Sequence, residues 1–576
     1  MTFTLAVASG PEASSSLHNA LREGVEHGEV AWAEHVGMAI AWSSHSPWVT
    51  VHDDGQVLVV VDGRLHNLSR DGRTPASLLL ARYRERGGDV AGGLLGDFVV
   101  VVLDRNRRSL LVARDPVGVR PWYESGSAAR HAGASEVATL CSIPWVDDAV
   151  DEDEAVAYLA GAAESRGPTL HRGICTLPPG HTRRLGAGQY TVTRHHYWNV
   201  VPDVHTTWDD AVERCRELLD TAVQSRLAVA GSPASELSGG LDSSSVVGTA
   251  VRLGYDDLLT SRLVFDSARA DERQYSDAVL AKWGLRAVSV SPWIMTSQES
   301  QEMTAALHRP PPDPNFTMFV SGHRAMLAEG RPDTLTGLGG DDAFVAMSLP
   351  SRTVSAVQLR QRSVLGPLLR EGVRRPQETW RGVVRPALRS ILPRQQPPPG
   401  HVASSFRGHE ALLARANRRP VRVTGVAAID GRLDNMTSGY HASILEDAAV
   451  VADLVQRRSS HPFMDPRVLE ATYGLDPSWP VRGGHDRALQ VAAYADRLPD
   501  LVLNRRSKAE FSEVVWPSLS DDAIGRVTSG PIIERGWLDP VGFQNVIQHA
   551  RGGRPWAALP LYRALALDRW LRGLEQ

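Results

Sequence analysis

A glycine- and serine-rich string at residues 238–245 constrains the fold more than any other feature of this 576-residue sequence. It reads Ser-Gly-Gly-Leu-Asp-Ser-Ser-Ser and leads into a helix-forming apolar stretch at residues 246–253. Glycines permit a tight turn that exposes backbone N–H groups, hydroxyls add donors, and a helix N-terminus favours an anion. The string therefore predicts a pyrophosphate-binding loop, although a plain Ser/Gly-rich loop is the simpler alternative. The predicted nucleotide-binding residues are Ser238, Gly239, Gly240, Asp242, Ser243 and Ser244.

A second glycine-rich turn, Thr-Gly-Leu-Gly-Gly-Asp-Asp at residues 336–342, also ends in acidic residues. A carboxylate inside an anion site requires a cation, and Mg²⁺ held by one or two carboxylates together with phosphate oxygens is the usual solution. We therefore expect Asp242 and Asp341 to be metal ligands on either side of one Mg²⁺–pyrophosphate. Gly339 and Gly340 join the predicted nucleotide-binding set, with a purely structural glycine turn as the alternative.

The local pattern changes near residue 205. Before it, short β-type segments at residues 48–52, 56–61, 98–103 and 109–113 alternate with turns, which predicts a layered, β-rich domain. Thr207 followed by Asp210 has the form of a helix N-terminus, as does Asp151 followed by Glu154. We place the domain boundary just before Thr207.

After the boundary, helical segments alternate with short apolar segments predicted to be strands at residues 263–265, 287–290 and 334–335. Such alternation indicates βαβ units and a mainly parallel sheet. The chain is long enough for two or more domains of ordinary size. An α/β fold with two domains, 1–205 and 206–576, is therefore expected.

Charge is distributed unevenly along the chain. Lys and Arg total 62 and Asp and Glu total 66, a net charge of −4 that argues against a histone-like polyphosphate binder. Residues 351–400, however, hold ten arginines and two glutamates and close in a Pro-rich run. This insert is predicted either to cover an acidic peptide or partner protein, because arginine forks match carboxylates, or to be a solvated helical face.

The three cysteines, Cys141, Cys175 and Cys215, form no C-x-x-C pair. Neither a disulfide framework nor a cysteine zinc site is indicated, and a reducing cytoplasm is the expected location. Apolar runs fall short of the ~18 residues that indicate a membrane span, so no membrane partner is expected.

Residues 238–245 resemble the PP-loop of ATP pyrophosphatases, and residues 336–342 resemble the second pyrophosphate motif of the asparagine synthetase superfamily. The resemblance extends over both halves of the chain, at residues 96–98, 114–118, 120–123, 177–181, 197–198, 461–465 and 504–508. It implies an N-terminal glutaminase-like αββα sandwich of the Ntn type over 1–205. It further implies a PP-loop ATP pyrophosphatase α/β domain over 206–576, which the insert at about 351–400 interrupts.

The sequence departs from the family at two positions. Glutamine-dependent members use a cysteine at position 2 as nucleophile, whereas this chain has Thr2, so the N-terminal domain is expected to lack glutaminase chemistry. Glu446 has a spacing that resembles the catalytic glutamate of β-lactam synthetases. Its partner there is a tyrosine in the second glycine motif, where this chain has Leu338, which can be neither base nor donor.

These departures leave the lasso-peptide macrolactam synthetases, or lasso cyclases, as the closest resemblance. It implies that ATP and Mg²⁺ activate an Asp or Glu side chain of a core peptide, and that the peptide N-terminal amine closes an isopeptide ring with release of AMP and pyrophosphate. Lys508 would stabilise charge on the adenylate, and Glu446 would accept the amine proton. A surface lysine beside phosphate-binding Arg505 and Arg506, and a surface glutamate, are the alternatives.

Further partners and other functions also follow from the resemblance. Lasso systems imply a leader-binding protein and a leader peptidase. A β-lactam synthetase-like enzyme or an ammonia-dependent amide ligase remains an alternative, as do an RNA-modifying ATP pyrophosphatase and a non-catalytic ATP-binding scaffold. No catalytic cysteine motif of an RNA-modifying enzyme is present, so a nucleic-acid partner is not expected.

Overall fold

We describe the fold from a computed structural model of the chain. The structure describes residues 5–22, 30–68, 72–160, 169–186, 188–203, 205–228, 232, 234–267, 270–310, 314–345, 354, 424–436, 439–476, 479, 487–505, 521–551 and 557–574. Thr2, Lys508 and Arg506 lie outside the described residues, as does the predicted insert at 351–400 apart from Val354. Helices of the described part lack the combination of length and apolarity that a membrane crossing requires.

Twelve strands and four helices form the N-terminal domain in the described part of the chain. The strands are β1 Leu5–Ser9, β2 Val30–His35, β3 Met38–Ser43, β4 Val49–Asp53, β5 Val57–Leu65, β6 Gly96–Asp104, β7 Ser109–Arg114, β8 Tyr123–Gly126, β9 His131–Ala134, β10 Cys175–Thr176, β11 His181–Gly186 and β12 Gln189–Arg194. The helices are α1 Ala13–Arg22, α2 Pro75–Arg86, α3 Val137–Cys141 and α4 Glu152–Ala160, with a 3₁₀ turn at Gly87–Asp89.

These strands form two antiparallel sheets, in the orders β10-β8-β9-β1-β3-β2 and β12-β11-β7-β6-β5-β4. Strand alternation explains the layers, because successive side chains point to opposite faces. In β1, Leu5 and Val7 lie in the apolar layer between the sheets, whereas Ala6 and Ala8 pack under α1. The opposite face of β5 packs against α2. The predicted αββα sandwich is therefore confirmed.

The C-terminal domain contains one parallel sheet. Its strands are β13 Ala234–Glu236, β14 Leu259–Leu263, β15 Ala287–Val290, β16 Asp333–Leu335 and β17 Arg458–Ser460. The sheet order is β15-β14-β13-β16-β17. The chain adds β14 and β15 on one side of β13, and it then adds β16 and β17 on the other side. The mainly parallel sheet is confirmed, and β13 and β16 flank the point where the strand order reverses.

Sixteen helices belong to this half of the chain in its described part. They are α5 Trp208–Leu227, α6 Leu241–Arg252, α7 Arg273–Trp283, α8 Ser297–Leu307, α9 Pro314–Thr317, α10 Val320–Ala328, α11 Gly340–Phe344, α12 Ala427–Met436, α13 Gly439–Asp453, α14 Pro466–Gly474, α15 Ala488–Ala493, α16 Asp500–Leu503, α17 Asp521–Thr528, α18 Pro531–Glu534, α19 Pro540–Arg551 and α20 Ala558–Leu574, with a 3₁₀ turn at Pro462–Met464.

Most local predictions agree with the structure. The four predicted N-terminal strands correspond to β4, β5, β6 and β7, and the predicted segments 287–290 and 334–335 correspond to β15 and β16. The strand predicted at 263–265 was wrong, because β14 ends at Leu263. Its buried positions are Leu259, Thr260 and Ser261, and because two of these are polar, a search for apolar runs missed the start of the strand.

Both predicted helix starts are confirmed by capping hydrogen bonds. The Thr207 hydroxyl accepts from the backbone N–H of Asp210 at 3.2 Å. The Asp151 carboxylate accepts from the N–H of Glu154 at 3.0 Å. Each side chain thereby satisfies an N–H group that the first helical turn leaves free.

A closed ring of four buried charges joins the two halves of the chain. Arg120 donates to Asp62 at 2.9 Å and to Asp453 at 3.0 Å. Arg458 donates to the other oxygens of the same two carboxylates, at 2.7 Å to Asp62 and 2.8 Å to Asp453. Asp62 and Arg120 belong to the N-terminal sandwich, whereas Asp453 and Arg458 lie at the end of α13 and in β17. Each charge therefore has two partners, one of them from the opposite half.

Replacing Arg120 with methionine should destabilise the protein by about 3 kcal/mol, since it leaves two buried carboxylates with one cation between them. The measurement is the urea midpoint of unfolding. Arg105→Met is the matched control, because Arg105 pairs with Asp53 at 2.7 Å near the surface and exposed pairs contribute at most about 1 kcal/mol. Equal shifts in the two variants would contradict the importance of the ring.

Candidate nucleotide-binding and active site

Two glycine-rich loops meet at the carboxyl end of the parallel sheet. One follows β13 and the other follows β16, and these neighbouring strands flank the reversal of strand order, where open α/β sheets bind ligands. The loops pack so closely that a Cβ at Gly337 would lie 2.6 Å from the backbone nitrogen of Ser243. A Cβ at Gly340 would overlap a carboxylate oxygen of Asp242. The glycines therefore bring the two predicted motifs into one site.

The loop after β13 is held in shape by its own serines. The hydroxyls of Ser238 and Ser243 are 3.0 Å apart, and Ser238 also accepts from the N–H of Gly240 at 3.2 Å. Gly239 has φ +80° and packs against the backbone of α7, a conformation and a contact that exclude a side chain. Gly240 is the N-cap residue of α6, and no side chain there accepts a hydrogen bond from the first helical turn. The first-turn N–H groups of α6 thus face the site as an anion cradle.

Asp242 and Asp341 converge on one cation, the guanidinium of Arg487. Arg487 Nη1 lies 2.6 and 2.7 Å from the two carboxylate oxygens of Asp242, and its Nη2 contacts Asp341. Gln490 also donates to Asp242, at 2.8 Å. Neither Arg487 nor Gln490 was predicted from the sequence.

This arrangement fits a magnesium site of the predicted kind. The guanidinium occupies the place where a divalent cation would contact both Asp242 and Asp341, so the two carboxylates are already arranged around a positive charge. The described residues contain no cluster of three or more His, Cys, Asp or Glu side chains suited to a metal. Two carboxylates completed by phosphate oxygens match what Mg²⁺ usually accepts.

A cavity of about 490 Å³ extends from the glycine loops along the sheet. Leu338 lines it, as does Arg505, whose guanidinium pairs with Glu272 and lies 4.2 Å from the ring centre of Tyr275. A smaller cavity of about 20 Å³ lies at the contact between the domains and is lined by Arg64, Arg120 and Arg458 among others. His461 borders both cavities.

Glu446 lies on α13 at the contact between the domains. Its carboxylate accepts from the Tyr123 hydroxyl of the N-terminal sandwich and from Arg309, whose second nitrogen donates to Asp447 at 2.6 Å. The cavity is lined by other residues of the same helix, Ala448 among them. Both donors bind Oε1 of the carboxylate that was predicted to accept the amine proton.

The sequence analysis missed an acidic residue inside the cavity. Glu236, the last residue of β13, lines the cavity two positions before the phosphate loop. Burial raises the pKa of this carboxyl to about 7, against the opposing effect of Arg457. His323 Nε2 lies 3.9 Å from Glu236, and Arg457 is 2.8 Å from the other ring nitrogen of His323. Burial lowers the pKa of His323 to about 3.

Comparison with known proteins agrees with this architecture. Residues 214–572 match the asparagine synthase family, and residues 40–198 match a glutamine amidotransferase domain. The first match covers more than half of the chain. The protein therefore belongs to the asparagine synthase family.

Individual relatives match part of the chain. Asparagine synthetase 3 (glutamine-hydrolyzing) of Bacillus subtilis is 31% identical over 195 residues, 33% of this chain and 31% of that protein. The amidase chry2 of Gibberella zeae is 26% identical over 343 residues, 54% of this chain and 50% of its own. The amidase chyE of Penicillium rubens is 27% identical over 375 residues, 56% and 54% of the respective chains. The matched region spans about half of these relatives or less.

Gly340→Ala should weaken ATP binding at least tenfold, since the new methyl group would displace the Asp242 carboxylate from the site. Isothermal titration with a non-hydrolysable ATP analogue and Mg²⁺ measures the effect. Gly525→Ala is the control, because Gly525 lies in α17 with nothing within 4 Å of the added Cβ, and alanine favours a helix by about 1 kcal/mol over glycine. Unchanged affinity in Gly340→Ala would refute the role of the loop contact.

Proposed function

We propose that this protein is an ATP-dependent lasso-peptide cyclase. It activates an Asp or Glu side chain of a core peptide as an acyl-adenylate, and the peptide N-terminal amine then closes a macrolactam ring. The observation that carries the proposal is the meeting of the two glycine loops, because it brings Asp242, Asp341 and the start of α6 together at the strand-order reversal, where pyrophosphate and Mg²⁺ are proposed to bind. Membership of the asparagine synthase family supports the carbon–nitrogen ligase class.

Different residues of the chain are proposed to bind the phosphates and the metal during formation of the acyl-adenylate. The N–H groups at the start of α6, with the hydroxyls of Ser238 and Ser243, bind phosphate oxygens. Asp242 and Asp341 would hold Mg²⁺, which when bound offsets the negative charge on the phosphates. Arg487 then exchanges at least one carboxylate for a phosphate oxygen, and a guanidinium suits this because it binds both groups in the same forked geometry. The substrate carboxylate attacks the α-phosphorus, and pyrophosphate leaves.

The amine is proposed to belong to the substrate. The cavity between the domains, at about 20 Å³, has room for roughly one water molecule. Its lining includes Arg120, Asp453 and Arg458 of the ion ring, which would have to part before ammonia could travel from the N-terminal sandwich. The larger cavity is of ordinary ligand-pocket size. A peptide that carries both the activated carboxyl group and the amine needs no passage between domains.

The proposed partners follow from this substrate. The core peptide is released from a longer precursor, so a leader-binding protein and a leader peptidase would act before the ring closes. Both would be encoded near this protein's gene together with the short precursor.

The direct test uses linear peptides with one internal Asp or Glu and a free N-terminus, including any core peptide encoded beside the gene. The expected product has lost one water molecule, in a reaction that requires ATP and Mg²⁺ and releases AMP and pyrophosphate. N-acetylated copies of the same peptides should support ATP–pyrophosphate exchange without ring closure. Absence of exchange with every peptide would refute the proposal.

Lys508→Ala should slow ring formation by roughly 10²- to 10³-fold, the usual loss when a preorganised contact to developing charge is removed. The rate is followed by mass spectrometry of the cyclised peptide. Lys282→Ala is the control. The Lys282 amine donates to the Leu498 carbonyl at a distance of 2.8 Å, and Lys282 does not line the cavity. A near-normal rate in Lys508→Ala would show that the lysine assignment is wrong.

A further inference from the structure

Glu236 differs from the other acidic groups of the cavity in its hydrogen bonding. Asp242 accepts from Arg487, and Glu272 pairs with Arg505. Within the described part of the chain, the Glu236 carboxylate accepts no hydrogen bond, and His323 Nε2 lies 3.9 Å from it. A carboxylate that faces a cavity without a donor is suited to receive one from a ligand.

The surroundings of Glu236 fix the state of His323. The guanidinium of Arg457 always carries its protons, so Nη1 donates to His323 Nδ1 at 2.8 Å and leaves the ring proton on Nε2. Nε2 lies 3.9 Å from the Glu236 carboxylate, beyond hydrogen-bond distance. Arg457 is itself held by the carbonyl oxygens of Arg331, at 2.9 Å, and Asp333, at 3.2 Å. Arg457 therefore fixes His323, and the Glu236 carboxylate beside it accepts no hydrogen bond from either residue.

Chain connectivity places Glu236 close to the phosphate loop. Glu236 ends β13, and Ser238, two residues further on, begins the loop. Two residues of backbone span at most about 7 Å. Both residues line the same cavity, so a nucleotide whose phosphates bind this loop would lie within reach of the Glu236 side chain.

We propose that Glu236 is the general base of the amide-forming step, with an α-amine as the group it serves. The inference rests on the proposed cyclase function. The neutral α-amine attacks the acyl carbon with its lone pair, and one N–H proton passes to the Glu236 carboxylate as the C–N bond forms. The C–O bond to the phosphate breaks, and its electron pair leaves on AMP. Water later removes the proton from Glu236.

The pKa of the Glu236 carboxyl group suits a base that accepts a proton from an α-amine. The pKa of Glu236, raised by burial to about 7, makes it ionised at neutral to mildly alkaline pH and still basic enough to accept a proton. An α-amine, with a pKa of about 7.7 to 8.0, is partly neutral in the same range, whereas a lysine amine, at about 10.4, is not. The base and an N-terminal nucleophile are therefore active together.

The experiment separates the two half-reactions in the full-length protein. Wild type, Glu236→Gln and the control Glu470→Gln are each assayed for ATP–pyrophosphate exchange and for ring closure between pH 5.5 and 9. Glu470 is a matched control because it is a partly buried glutamate that accepts from the Asn199 N–H at 2.7 Å outside the cavity. The substrate is a linear peptide cyclised by the wild type.

Glu236→Gln should keep exchange within about threefold while ring closure falls about 10²- to 10⁴-fold, the usual contribution of a general base. Below pH 7 the logarithm of the wild-type closure rate should fall with a slope near two, one proton on Glu236 and one on the amine, whereas the variant should keep a slope near one. Intact exchange also shows that the variant is folded.

The outcomes distinguish failure of the proposed cyclase function from failure of the inference about Glu236. No exchange by the wild type with any peptide overturns the proposed function and the inference with it. Normal ring closure by Glu236→Gln, with an unchanged slope, overturns the inference alone. Loss of exchange in Glu236→Gln but not in Glu470→Gln also overturns it, because the carboxylate would then act in nucleotide binding.

Discussion

The site depends on the absence of side chains where two loops cross. Gly337 packs against the backbone of Ser243, and Gly340 packs against the carboxylate of Asp242, at distances that leave no space for a Cβ. The parallel sheet imposes this contact, because β13 and β16 are neighbours whose carboxyl ends lie at one edge. Two segments far apart in the chain thereby contribute Asp242 and Asp341 to one cation. The phosphate cradle, the metal ligands and the cavity all take their positions from this crossing.

Arginine balances the acidic groups that the fold buries. Arg120 and Arg458 each serve two carboxylates between the halves of the chain, and Arg487 serves both Asp242 and Asp341. A buried carboxylate is costly unless it is paired and hydrogen-bonded, which explains why each of these carboxylates has an arginine partner. Glu236 is different, since burial raises the pKa of its carboxyl to about 7 and the Arg457 charge offsets that rise only in part. An acid left without a donor in a ligand-sized cavity is a functional feature rather than a stabilising one.

Local signals accounted for much of the fold, whereas long-range charge partners did not appear in the sequence. Apolar runs and turn residues predicted six of the seventeen described strands, and the glycine motifs predicted the loops, because each is a property of consecutive residues. Arg487 approaches Asp242 from a distant segment, and nothing in its own neighbourhood marks it as a ligand. Glu446 gained its partner Tyr123 from the other half of the chain. Spacing identified Glu446 as a candidate but could not show that two donors already occupy its carboxylate.

Glu236 was missed for a related reason. It ends a three-residue strand that is too short for a periodic pattern, so its side chain could not be assigned to a face until the sheet was known. The structure shows Glu236 in the cavity wall at the end of β13, and the two residues from there to Ser238 limit the distance between the proposed base and the phosphate loop to about 7 Å of backbone. Positions fixed by a strand are more precise than those on loops. A general base at this point would keep its distance from the acyl-adenylate while the remaining cavity walls adapt to the peptide.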